Sequence, residues 1–204
     1  MATSEYTPAQ AAAATGLSLA AVHKAIDTRL VKPRISKGGT KRRLLTKEQL
    51  LFLQLQADGV RLLPLQSRRE LARAIERSPQ VDAVQVGNAQ ALVVEVKTAR
   101  RKLATALARL ARAERIANRD PEIMSGAPVY RGTRIPIHLV ADMLAQGASV
   151  EEILEGYPSL DRTKVELAPL YVRAFPQRGR PPHRPRAKGQ ATGRMTTDRL
   201  NRLH

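Results

Sequence analysis

The chain has 204 residues, of which 35 are Lys or Arg and 18 are Asp or Glu, giving a formal charge of +17 at pH 7. It has no Cys, so neither a disulfide framework nor a thiolate metal site is available, and a cytoplasmic location is expected. Two Phe and four Tyr with no Trp argue against a base-stacking platform for single strands, no apolar run reaches spanning length, and neither a signal peptide nor a membrane partner is expected.

Taken in order, Thr7-Pro8-Ala9-Gln10 combines a capping box with Pro at the first helical position, so a helix starts there and runs to Gly16. Ser18 caps a second helix whose expected buried stripe is Leu19, Val22 and Ile26. Two helices joined across Gly16-Leu17 make a helix-turn-helix. The run LVKPRISKGGTKRRLLT then predicts two short strands around Gly38-Gly39, with Lys37, Lys41, Arg42 and Arg43 at the tip. Thr46 with Gln49 opens another helix, carrying Leu50, Leu51, Leu53 and Leu55. Helix-turn-helix, basic hairpin and helix make a winged unit over residues 1–66. It resembles the N-terminal DNA-binding part of MerR-like regulators, with YTPAQAAAATGLSLAAVHKAI as the helix-turn-helix and the hairpin as the wing. A second helix presented end-on reads a major groove while wing cations reach phosphates. The candidate DNA-binding residues are therefore Ser18, Ala20, Ala21, Lys24, Lys37, Lys41, Arg42 and Arg43, against the plainer reading that the basic run only solvates a loop.

Residues 67–119 predict a helix from Pro64 and Ser67 to Pro79, then a hairpin, VDAVQVGNAQALVVEV, turning at Gly87-Asn88-Ala89-Gln90. A hairpin alone is marginal, so a helix or a second chain must cover it. A long helix from Thr98 to Asn118 follows, with Leu103, Ala106, Leu107, Leu110, Ala113 and Ile116 on one stripe. That stripe serves either intrachain packing or a homodimer seam, since a palindromic operator needs two readers.

The next segment, 120–174, begins with DPEIMSGAPVYRGTRIPI, whose Pro and Gly content predicts an ordered loop. Three short helices follow: one after Pro136 with Ile137, Val140, Ala141 and Leu144; one capped by Ser149 with Glu152; one capped by Asp161 with Val165, Ala168 and Val172. Net charge is −4 over 120–172 but +6 over 1–66, +7 over 67–119 and +8 over 173–204. The acidic balance argues against phosphate binding by this unit. The runs GxPVYRGTRIP and GxSxEEILEGYPSL, and the helix ending at Tyr171, resemble the domain-of-unknown-function family 433. Pro169 departs from it and is expected to kink or stop the third helix near Ala168.

The resemblance implies an antitoxin that neutralises a PIN-domain ribonuclease toxin and represses its own operon, alone or in a larger toxin–antitoxin assembly. Candidate toxin-binding residues are Arg131 and Arg134 in this segment. Arg178, Arg180, Arg184 and Arg186 join them from a Pro- and Arg-rich arm, 175–204, expected to be disordered. An Arg entering a carboxylate-lined nuclease site would satisfy it electrostatically. The fold class expected is mainly α with small β-hairpins (α+β). Catalysis, metal and cofactor are not expected: His23, His138, His183 and His204 are scattered, and no HExxH, GxSxG, P-loop or GxGxxG occurs. A freestanding MerR-like regulator without a toxin, and a nucleoid-type binder, stay open.

Overall fold

The computed structural model describes residues 5–36, 41–87 and 92–176. It is mainly helical with three two-stranded antiparallel sheets, the α+β class expected.

Helix α1 (Pro8–Thr15) begins where the capping box places it: Thr7 Oγ1 accepts the Gln10 N–H, and the Gln10 side chain accepts the Thr7 N–H at 2.8 Å. It ends at Gly16, whose φ of 75° lets its N–H turn back onto the Ala12 carbonyl at 3.1 Å. Ser18 Oγ accepts the Ala21 N–H at 3.1 Å and starts α2 (Leu19–Asp27). Val22, Ala25 and Ile26 are buried, but Leu19 is 44% exposed and is not part of that stripe. Helical side chains lean towards the N-terminus, so the first residue overhangs the helix start instead of lying on α1.

Strands β1 (Arg34–Ile35) and β2 (Arg43–Leu44) pair with Arg34 opposite Leu44 and Ile35 opposite Arg43. A bridge between Tyr6 and Leu45 ties the chain start to the hairpin root. Helix α3 (Lys47–Ala57) is buried all round: not only Leu50, Leu51, Phe52, Leu53 and Leu55 but also Gln49, Gln54 and Gln56 are inside. A helix without a solvent face is the centre of its fold, and Gln49 and Gln54 stay satisfied by the Lys32 carbonyl at 2.8 Å and Asp58 at 3.3 Å.

Helix α4 (Leu65–Arg77) packs on β3 (Ala83–Val86), which pairs with β4 (Leu92–Glu95) from Ala83–Glu95 to Val86–Leu92. The cover the hairpin needs is thus a helix of its own chain, over Val84, Val86, Val94 and Val96. Helix α5 (Lys97–Arg115) stops short of the expected Asn118, because Ala117–Asn118 instead forms β5 against β6 (Val129–Tyr130). Its stripe faces α1, α3 and α8 of the same chain, with Leu103 and Leu110 buried. The intrachain use of the stripe is the one observed, and Leu110 is not open to a second copy.

Helices α6 (Ile137–Ala145), α7 (Val150–Gly156) and α8 (Arg162–Ala174) follow, with the Ser149–Glu152 capping box and the Asp161 cap in place. Pro169 does not stop α8. A Pro inside a helix removes the bond to the carbonyl four residues back and costs about 3 kcal/mol. Burial of Leu167, Ala168, Tyr171 and Ala174 around it outweighs that, and Pro169 itself points to solvent. One core gathers α1 to α5 and a second gathers α6 to α8 with Tyr130 and Ala113. Helix α8 joins them: most of its apolar face lies in the second core, Ala174 lies in the first, and Phe175 touches both.

Candidate nucleic-acid interface

The exposed face of α2 carries Ala20, His23 and Lys24, with Ser18 at its cap and Ala21 half-buried. Beside it stands the hairpin root. Arg43 reaches Asp27 at the end of α2, at 3.6 Å; both side chains are at least half exposed, so the pair orients the hairpin more than it stabilises it. Arg42 is held through its backbone, the N–H donating to Ser36 Oγ at 3.0 Å. The Lys41 and Arg42 side chains are exposed and have no carboxylate partner among the described residues. Lys37 lies outside the described residues.

A groove of about 990 Å³ opens beside α2. Leu19, His23 and Arg42 line it together with Arg119, Tyr171 and Phe175. Arg119 Nε donates to Tyr171 Oη at 3.1 Å, and its guanidinium sits 5.9 Å from the Tyr171 ring centroid. The Tyr171 and Phe175 rings are 4.9 Å apart, so the ring that Arg119 contacts is itself packed. A second groove of about 980 Å³, between the end of α1, α5 and α8, is rimmed by Arg101, Arg109 and Arg173.

The turn RGTR in the acidic segment has a physical explanation. The Tyr130 N–H bonds the Ile135 carbonyl at 2.9 Å, Thr133 Oγ1 donates to the Tyr130 carbonyl at 2.9 Å, and Val129 bridges Pro136. Gly132, at φ 78°, supplies the left-handed residue the turn needs. Arg131 and Arg134 flank it and are both exposed. They do different work. Arg131 turns back on the chain, its Nε donating to the Arg115 carbonyl at 3.2 Å and so satisfying the end of α5. Arg134 has no ion pair among the described residues. Arg178, Arg180, Arg184 and Arg186 lie outside the described residues.

The carboxylates of this unit are largely engaged with their own chain. Glu152 accepts from the Ser149 N–H at 2.7 Å and from its hydroxyl, which holds its carboxyl below the usual glutamate range. Glu151 is lowered likewise, by its own backbone N–H and by Arg162, which also reaches Glu166 at 3.7 Å. Burial, with Asp161 nearby, pushes the Tyr130 hydroxyl up, and it stays a neutral donor to the Lys164 carbonyl at 3.3 Å. Asp142 and Glu155 are exposed without an ion pair among the described residues.

Sequence reasoning named the face of α2 and the hairpin, and missed Arg119. No local signal marks it: Tyr171, its partner, is 52 positions away.

Residues 118–172 match the model of a family described as protein of unknown function, DUF433. The family resemblance of this segment is therefore borne out. The uncharacterized protein y4eO of Sinorhizobium fredii (strain NBRC 101917 / NGR234) is 37% identical over 138 residues, which cover 68% of this chain and 59% of that protein. The chain thus spans under two thirds of the length of that curated relative. The X-ray crystal structure of Rv2018 from Mycobacterium tuberculosis aligns with 80% of this chain and 95% of its own at 13% identity, with a TM-score of 0.36.

Proposed function

We propose that this chain is a DNA-binding antitoxin: its winged N-terminal unit binds operator DNA, and its 120–174 segment and basic arm bind and inhibit a PIN-domain ribonuclease. The observation carrying the DNA half is the exposed face of α2 beside Lys41 and Arg42, two wing cations without a carboxylate partner among the described residues. The antitoxin half rests on the family match over 118–172, read with the resemblance set out above. The acidic side chains there are mostly used within the chain, so Arg134 and the arm are the groups chemically suited to a carboxylate-lined nuclease site. Two readers held together, by a second copy or through the toxin, would match a palindromic operator.

The test is purification of the tagged full chain from its native host, followed by a ribonuclease assay and DNA binding on the region upstream of its own gene. Co-purification of a nuclease whose activity appears only when this chain is removed is the expected result. Upstream DNA binding with no nuclease attached would leave a freestanding regulator, and neither would end the proposal.

A further inference from the structure

The groove beside α2 has a stated ligand chemistry. We infer that it holds the phosphodiester backbone of one DNA strand, with Arg119 as a phosphate contact in addition to Arg42 of the wing; this rests on the DNA-binding reading above. When α2 lies in a major groove about 12 Å wide, the sugar–phosphate chains bounding that groove pass along both of its sides. On the Leu19–His23 side of α2, the chain leaves an open channel rather than a packed surface. Arg42 and Arg119 both line it. Among the described residues Glu114 is the single acid on the lining and His23 its one imidazole.

Arg119 is prepared for this in a way a surface Arg is not. Its Nε–H donates to Tyr171 Oη at 3.1 Å, its guanidinium lies 5.9 Å from the Tyr171 ring centroid, and that ring is itself packed on Phe175. Its terminal amino groups make no hydrogen bond among the described residues and are left to fork onto phosphate oxygens. A side chain already held in place loses less rotamer freedom on contact than a mobile one. Leu19, unexpectedly exposed at the same edge, meets the base side of the channel, where a thymine methyl is the fitting partner. Arg119 belongs to the matched family segment, not to the winged unit, so DNA would touch both of these parts of the chain.

The experiment measures binding of the full chain to a sequence-neutral duplex of about two helical turns, as a function of salt. Each lost phosphate contact flattens the slope of log K against log salt by about 0.9. Arg119→Gln should show that change, and Arg119→Lys should keep the wild-type slope while binding more weakly, because it retains the charge without the fork. Tyr171→Phe, which removes the positioning bond and keeps the ring, should weaken binding without altering the slope. Arg69→Gln, on α4 and outside the groove, is the control for bulk charge and should match wild type. A wild-type slope for Arg119→Gln, alongside a flattened one for Arg42→Ala, would overturn the inference and leave the DNA-binding reading standing. A wild-type chain that does not bind the duplex would overturn both. If Arg119→Gln melts early, the comparison of Arg119→Lys with Tyr171→Phe decides: equal loss of affinity with unchanged slopes supports the inference, and no loss in either ends it.

Discussion

At the scale of the residue, two features of the 120–174 segment can be tested without knowing any partner. Gly132 adopts φ 78° inside the turn that presents Arg131 and Arg134. A Cβ there meets no neighbour, so the cost of Gly132→Ala is conformational, about 1–2 kcal/mol, read as a lower denaturant midpoint. The second concerns pH. Glu151 and Glu152 titrate below their ordinary value of 4.5 in the folded chain. A depressed carboxyl contributes stability that is fully present above the unfolded value and is lost as pH falls through the folded one. The thermal midpoint should therefore decline on acidification below the ordinary glutamate range. Ser149→Ala, which removes the hydroxyl that Glu152 accepts from, should lower the midpoint at neutral pH and narrow the difference from wild type in acid.

At the scale of the element, the starts of helices were legible and their ends and partners were less so. Thr7, Ser18, Thr46, Ser149 and Asp161 all cap as read, because a cap is settled within four residues of chain. The apolar stripe that runs to Ile116 predicts helix as far as Asn118; the pairing of Asn118 with Val129 wins, and that partner lies outside the helical period. Local geometry at Pro169 predicts a kink or a stop; the stop does not occur, because tertiary burial on both sides of Pro169 carries α8 on to Ala174. Pro169→Ala restores an N–H in an exposed helical position and should raise stability by about 1–3 kcal/mol, part of the gain being offset by a freer unfolded chain; the denaturant midpoint checks it. The stripe on α5 was legible as apolar, but periodicity cannot say which surface fills it. Because Leu110 is 3% exposed within one chain, Leu110→Asp should unfold the protein, at a cost above about 3 kcal/mol, rather than release folded monomers. Circular dichroism together with sedimentation distinguishes the two.

At the scale of the whole molecule, the candidate interface divides by sequence distance. Its α2 face and wing are built from residues near one another in the chain and could be read; Arg119 enters only through the fold. The C-terminal boundary moves for the same reason. Phe175 packs on Tyr171 and touches both cores, so a chain cut after Pro176 should keep the melting transition of the full protein, and one cut after Val172 should lose much of it. If the basic arm acts on the nuclease, the cut after Pro176 also separates activities: duplex binding should persist and nuclease inhibition should weaken. Paired binding and ribonuclease assays measure both.

Five of the eight residues of helix α1 are Ala, and α2, α3, α5 and α8 all press against it. Small side chains are what permit so many axes to converge, and Ala11 is completely enclosed. Interchangeability is the casualty. Two units that merely sat in tandem could be recombined freely by gene fusion. Here the last helix of one is a wall of the other, so a transplanted 120–174 segment would arrive without the alanine face its α8 was shaped to meet. Lineages that exchange such segments must carry α1 along, or enlarge neither surface; the two ends of this chain are bound to change together.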